Sequence, residues 1–126
     1  MPRFMGFVRM EEGIGTPPQS LFEAMDAFIG ERAANGTFVD GGGLYGTEDA
    51  VNFVVRRGEV SRVDGPYAEA KEVVGGYSII EARSPEEALA GARRVAEIHV
   101  QHWPGWEGSV EVRRISGPEE GPPDRS

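Results

Sequence analysis

A short run in the middle of the chain holds the residues best able to do chemistry. Asp64 opens the sequence Asp64-Gly65-Pro66-Tyr67, and Lys71 follows a few positions later. A carboxylate placed this way is able to accept a proton or a hydrogen bond, and a nearby ammonium group would keep it ionised or bind an anionic substrate. We therefore identify Asp64 and Lys71 as catalytic candidates.

The same run also has a purely structural interpretation. Aspartate accepts hydrogen bonds from the backbone amides that follow it, glycine reaches unusual backbone conformations, and proline restricts its own. Judged by residue type alone, a tight turn is the simpler interpretation. A catalytic role for Asp64 stays open beside it.

A second candidate region lies near the C-terminus, where the only two histidines precede the only two tryptophans. His99 and His102 would share one side of a helix end, and a metal site there would need Glu97 or Glu107 as a further ligand. The simpler arrangement is one packed histidine and one solvated histidine near the negative end of the helix dipole. We expect no metal and no other cofactor.

The exit from that predicted helix, Trp103-Pro104-Gly105-Trp106, concentrates aromatic surface. The indoles would cover the core or a dimer interface, or they would wall a pocket for a planar or apolar ligand beside His102. Together with two tyrosines of the central region they give the ligand-binding candidates, which are Tyr67, Tyr77, His102 and Trp103.

Composition argues against several classes of partner. The formal net charge is −8 and the basic residues occur singly or in pairs, which disfavours binding to a phosphate backbone. The chain has no cysteine, and no apolar run approaches the roughly 20 residues of a membrane span. The run Gly41-Gly42-Gly43 lacks the Lys-Ser/Thr ending of a phosphate-binding loop. We expect a cytoplasmic protein that binds neither nucleic acid nor membranes.

Two helices are predicted from their capping residues and apolar stripes. Ser20 and Glu23 have the spacing of a capping box, and so do Ser84 and Glu87, with Pro85 at a first helical position. The inner stripe of the first helix comprises Leu21, Phe22, Met25, Phe28 and Ile29. The inner stripe of the second comprises Leu89, Ala92, Val95, Ala96 and His99.

The strands are predicted from short apolar runs between turn residues. They comprise residues 4–10, 37–40, 50–56, 59–63, 77–83 and 109–115, with a tight hairpin turn at Arg57-Gly58. The order of elements predicts an α+β fold, a split βαβ scheme whose antiparallel sheet carries two helices on one face and an inserted β-hairpin. We assign residues 1–116 to this domain and residues 117–126 to a flexible tail.

The predicted sheet has apolar residues on both faces, as the pairs Phe4 and Met5 or Ile79 and Ile80 show. Two helices on one face would leave the other face exposed to water. A second copy packed sheet against sheet would cover it, so we expect a homodimer. Coverage by the glycine-rich loop and the tail is the alternative.

The run from Asp64 to Glu72, followed by Gly75-Gly76-Tyr77, resembles the signature of the DGPF-type proteins of the YCII-related family. Tyr67 stands where the family name has Phe. The Ser84 to Ala88 helix start and the Val110 to Arg113 strand also fit this family. The resemblance implies a ferredoxin-like fold that pairs as a dimeric α+β barrel. Related YCII-type proteins have been suggested to use a His–Asp pair, but this chain has no histidine in its first strand, loop or helix.

Two functions from different classes follow from these observations. In the first, the protein binds or transforms a small organic molecule in a cleft near Asp64, with Lys71, Tyr67 and Tyr77 around it, and Asp64 moves a proton. In the second, it is a non-catalytic interaction module, for example an accessory in transcription regulation, whose acidic charge favours a protein partner. Whether it is an enzyme is left open by the sequence.

Overall fold

The computed structural model describes residues 1–126 and shows two helices and six strands. In chain order the elements are β1 (Arg3–Met10), α1 (Gln19–Ala34), β2 (Phe38–Gly43), β3 (Val51–Arg56), β4 (Glu59–Asp64), β5 (Val73–Glu81), α2 (Pro85–His102) and β6 (Gly108–Ile115). A single turn of 3-10 helix, Thr47–Asp49, precedes β3. The predicted order of elements is therefore confirmed.

Four strands form one antiparallel sheet in the order β2-β5-β1-β6. The strands β3 and β4 form a separate two-stranded hairpin, which turns at Arg57 and Gly58 with positive φ at both residues. Positive φ at both central positions is the geometry that suits a two-residue hairpin turn. Both helices pack on the same side of the four-stranded sheet. The structure thus confirms the α+β, ferredoxin-like arrangement with an inserted hairpin.

The start of α1 differs from the prediction. The helix begins at Gln19, its N-cap is Pro18 in an extended conformation, and no side chain caps it. Ser20 already lies inside the first turn, so the predicted capping box with Glu23 is wrong. The prolines before the helix restrict the chain to an extended conformation, so the helix begins only after Pro18. Within the predicted stripe, Phe22 is 48% exposed.

The start of α2 agrees with the prediction, and its predicted inner stripe is confirmed at His99 but wrong at Leu89. The Ser84 hydroxyl accepts a hydrogen bond from the Glu87 amide at 3.2 Å, and Pro85 occupies the first helical position. Leu89, which we placed in the inner stripe, is 57% exposed. The residues that are buried on this helix are Ala88, Gly91, Ile98 and His99.

The strand β2 is longer than predicted and β5 begins earlier than predicted, because pairing within the sheet outweighs the low strand propensity of glycine. The glycines of β2 lie within the sheet, where Gly42 pairs with Tyr77 and Gly43 pairs with Gly76. The strand β5 begins at Val73 rather than at Tyr77, because Val73 and Val74 pair with Met10 and Arg9 of β1. Glycine is disfavoured in an isolated strand, but here ladder hydrogen bonds to the central strand β5 hold it. The pairing of β2 with β5 has a register shift between Phe38 and Asp40.

Alternation along β1 divides the sheet into two faces. Phe4, with its register partner Ile80, packs on the helix side against Ala88. The intervening residues Met5 and Phe7 therefore point to the opposite side, which no helix covers. We call this side the open face; it comprises Met5, Phe7, Tyr77 and Ile79, with the ion pairs Arg3–Glu81 and Arg9–Glu111 at its borders.

The buried core is small and divided. Only 8 of 126 residues are buried, and they fall mainly into two clusters between the helices and the sheet. One cluster is formed by Phe4, Ala82 and Ala88, and the other by Leu21, Ile98 and Trp103. A cavity lies between them. None of the helices has the length and apolar character needed to cross a bilayer.

Candidate functional site

A cavity that is partly open to solvent lies between the two helices and the helix face of the sheet. It has a volume of about 510 Å³, and we call it the interlayer cavity. Binding sites for small molecules typically measure about 300–1,000 Å³. Its wall is largely apolar and includes Val8, Leu21, Met25, Phe28, Ile29, Phe38, Ile80, Val95 and Val112.

Glycines of three elements line the cavity, but only Gly91 leaves open space beside it, since a Cβ at Gly6 or Gly41 would meet neighbouring atoms within 3 Å. Gly6 and Gly41 lie on the helix face of the sheet, and Gly91 lies opposite them on α2; all three line the space. At Gly91 an added methyl group would meet only the Arg32 guanidinium, 4.0 Å away. A buried helical glycine with open space beside it leaves room that an ordinary core would occupy with a side chain.

His99 is the buried polar residue of the cavity wall, with 5% of its surface exposed. Its Nδ1 lies 2.8 Å from the Val95 carbonyl oxygen, which can only accept a hydrogen bond. The neutral ring therefore carries its proton on Nδ1 and keeps Nε2 as an acceptor. Burial lowers the pKa of His99, while the bond to Val95 opposes that shift. The ring is thus an uncharged acceptor at neutral pH.

Arg32 is the permanently charged cation among the residues that line the cavity. Its guanidinium carbon lies 4.9 Å from the centre of the Phe28 ring. None of the five ion pairs in the protein includes Arg32. Asp26 is the acidic residue of the same wall. It lies on α1 about 9 Å along the helix axis from Arg32. The cavity therefore has one cationic end with no protein anion bound to it.

Asp64 lies away from the interlayer cavity, at the end of β4. Its Oδ1 accepts a hydrogen bond from Arg62 Nε at 2.7 Å, and both side chains are more than half exposed, at 67% and 62%. The next peptide bond, Gly65–Pro66, is cis. No hydrogen bond or ion pair joins Asp64 to Lys71. The geometry of Asp64 is that of a solvated residue at a hairpin end.

The loop after Asp64 is fastened to the rest of the protein through Thr47. The Thr47 hydroxyl accepts a hydrogen bond from the Tyr67 amide at 3.1 Å and donates one to Glu12. The Thr47 amide also donates to Glu12, at 2.6 Å. These two hydrogen bonds lower the pKa of Glu12, and the bond from the Thr47 side chain has the larger effect. Gly65 completes the attachment by donating to the Ala50 carbonyl at 2.8 Å.

The predicted site residues are distributed over several regions. Trp103 lines the interlayer cavity beside His99. Tyr77 also lines the interlayer cavity. Strand alternation directs its ring to the open face, so its backbone is the part that borders the cavity. Tyr67 lines a second, open groove of about 490 Å³. Lys71 and His102 line neither space. The structure therefore does not bring the six candidates into one site, and their individual roles stay predictions.

The surroundings of the two histidines do not form a metal centre. No group of three or more His, Asp or Glu side chains comes together with the geometry to hold a metal ion. His99 is buried on α2 and packs against Trp106, with ring centroids 4.5 Å apart, whereas His102 is only partly exposed to solvent. His99 is thus the packed histidine of the pair, in agreement with the simpler of the two interpretations of the sequence.

Sequence reasoning missed Arg32, Gly91 and Thr47. Arg32 follows Phe28 and Ile29 by one helical turn, so it continues their stripe, and a cation in an apolar stripe was a usable signal. Gly91 interrupts a well-formed helix, which was a second signal. Nothing in the sequence indicated that Thr47 would contact the loop of Tyr67.

Comparison with known proteins gives a family but no described relative. A search of curated proteins found no match. The model of the YCII-related domain family matches residues 3–116, which include every strand and both helices. Because that match covers nearly the whole folded region, the chain belongs to the YCII-related domain family.

Proposed function

We propose that this protein binds a small, largely apolar organic molecule in the interlayer cavity. The observation that carries the proposal is the cavity itself, about 510 Å³ in a protein with only 8 buried residues. The cavity is partly open to solvent, so a bound apolar ligand would be stabilised by removing its own surface and the apolar wall from water, at about 25 cal/mol for each Å² buried.

The position of polar groups also supports a binding function. The cavity wall offers His99 as an uncharged acceptor and Arg32 as a cation, within a surface that is otherwise mainly apolar. A few polar groups in an apolar wall are the usual composition of a ligand site, where they orient the ligand. Asp64 lies outside this space, so a proton-transfer role for Asp64 with Lys71 is a separate and untested part of the hypothesis.

A neutral apolar dye tests the proposal directly. N-phenyl-1-naphthylamine, whose fluorescence rises in apolar surroundings, should bind the wild-type protein. Gly91→Leu should abolish that binding because its side chain would occupy the cavity next to Arg32. Gly30→Leu is the matched control, since Gly30 is an exposed helical glycine with nothing within 4 Å of an added Cβ. Equal dye binding by wild type and Gly91→Leu would refute the site.

We also propose that the protein forms a homodimer through the open face. Met5, Phe7, Tyr77 and Ile79 make an apolar, partly exposed centre there that no helix covers, and two ion pairs lie at its borders. Apolar centres with polar borders are typical of interfaces. The β3–β4 hairpin adds exposed apolar surface, with Phe53 at 63% and Val55 at 67% exposure. A second copy that covers both surfaces would bury them from water.

A further inference from the structure

The arrangement of charge along the interlayer cavity indicates what kind of apolar molecule it takes. We infer that the ligand is an apolar monocarboxylate, with its carboxylate on Arg32 and its apolar body directed towards Trp103. This inference rests on the proposed binding function, and it adds the chemical class and the orientation of the ligand.

The first argument is the state of Arg32. Its guanidinium lies over the Phe28 ring and beside Gly91, and no carboxylate of the protein pairs with it. A guanidinium presents several donors in a planar fork that fits both oxygens of a carboxylate. Stacking on Phe28 holds that fork in place before a ligand arrives, so less side-chain entropy is lost on binding.

The second argument is the direction of the cavity. The start of α2 and the end of α1 meet at Gly91 and Arg32, whereas the end of α2 meets Leu21 near the start of α1. Gly91 and His99 both line the space, and they are separated by about 12 Å of helix. The cavity is thus elongated along the helices, with Arg32 towards one end and Trp103 towards the other.

The third argument is the charge of the remaining wall. Asp26 lies further along α1, away from Arg32, and its carboxylate would repel an anion placed there. His99, at the far end, is neutral and offers an acceptor rather than a donor. An anion is therefore favoured at the Arg32 end of the cavity, and an apolar tail is favoured at the Trp103 end. A ligand with charge at both ends fits this wall poorly.

The inference is tested by displacing the neutral dye with either decanoate or decanol. These two molecules have apolar chains of the same length and differ in their head group. At pH 8 decanoate should displace the dye from the wild type about 10- to 100-fold more effectively than decanol does, the range expected for a charge-assisted hydrogen bond. Arg32→Gln should remove that preference while dye and decanol binding persist. Arg32→Lys, which keeps the charge without the fork, should retain part of it.

The other outcomes separate the two proposals. If dye and decanol bind but decanoate binds no better, or if Arg32→Gln leaves the preference for decanoate unchanged, the carboxylate inference is wrong and the cavity remains a binding site. If Gly91→Leu still binds decanoate like the wild type, the carboxylate binds elsewhere and the inference is also wrong. If the dye itself does not bind, both the proposed function and the inference fail. A cooperative urea-unfolding transition like that of the wild type shows that Arg32→Gln is folded.

Discussion

The imidazole of His99 lies against the indole of Trp106, with 4.5 Å between ring centroids and 40° between ring planes. The two rings join the end of α2 to the segment that leads into β6. Trp106 Nε1 is buried without a hydrogen-bond partner, and His99 Nδ1 already donates to Val95. The contact is therefore one of ring packing. It fixes the orientation of His99 at the end of the interlayer cavity.

Burial of this ring predicts a decline in stability towards acid pH. Burial lowers the pKa of His99 in the folded protein below the ordinary value of 6.5, so the unfolded chain takes up the proton first as the pH falls. The contribution of neutral His99 to the free energy of unfolding is fully present above pH 6.5. It decreases as the pH falls below 6.5 towards the pKa of His99 in the folded protein.

Two measurements check this decline. The free energy of unfolding from urea titrations at pH 7.5 and pH 5.0 should fall less for His99→Phe than for wild type. NMR titration of the ring resonances, with the His99→Phe spectrum used for assignment, should place the midpoint of His99 below 6.5. A midpoint at or above that value would show that the ring is solvated in the folded protein.

Gly65 is predicted to be indispensable at the hairpin end, although Asp64 is not. A Cβ at Gly65 would collide with the backbone carbonyl of Thr47, which cannot move without breaking the contacts of that turn. We expect Gly65→Ala to lower the free energy of unfolding by about 2 kcal/mol or more. Asp64→Ala, which removes only an exposed pair with Arg62, should cost under about 1 kcal/mol. Urea denaturation of both variants measures the difference, and equal losses would contradict the close approach at Gly65.

The hydrogen bonds from Thr47 to Glu12 predict a second pH effect. They lower the pKa of Glu12 below its ordinary value of 4.5, so their stabilising contribution is present above pH 4.5 and is lost as the pH falls through the folded pKa. Glu12→Gln should therefore lose less stability than wild type between pH 5 and pH 3. Glu11→Gln removes a charge from the same loop without touching Thr47 and serves as the control. A decline in Glu12→Gln as steep as in wild type would exclude this contribution.

Much of the fold is readable from the sequence because local signals agree with the tertiary arrangement. Ser84, Pro85 and Glu87 mark the start of α2 where the structure has it, and Arg57-Gly58 mark the hairpin turn. The failures are of another kind. Ser20 has the residue type of a cap, but the prolines before it determine where α1 begins. Sheet pairing extends β2 through three glycines that no propensity would assign to a strand.

The candidate site was less predictable because it depends on what is missing from the core. The cavity is lined by residues of different elements, among them Gly6 on β1, Gly41 on β2 and Gly91 on α2, which face one another only after folding. Periodicity locates side chains and cannot locate the space between them. Asp64 attracted attention through its motif, but the motif ends at a solvated hairpin, whereas the buried polar groups of the cavity belong to the helices.

The open face makes the most direct prediction about assembly. If it is a dimer interface, the wild-type protein should have about twice the monomer mass of 13.7 kDa. Phe7→Arg places a charge at the apolar centre, beside Arg9, and two copies would then oppose like charges across the interface. We expect this variant to be monomeric in analytical ultracentrifugation at micromolar concentration.

Val100→Arg is the matched control for Phe7→Arg. Val100 is an apolar residue that is 74% exposed on α2, on the other side of the sheet. The same change there should leave the dimer intact, because only the open face is expected to meet a second copy. Dissociation by both variants would indicate a general effect of added charge. A monomeric wild-type protein, or a Phe7→Arg variant that stays dimeric, would show that the open face has another role.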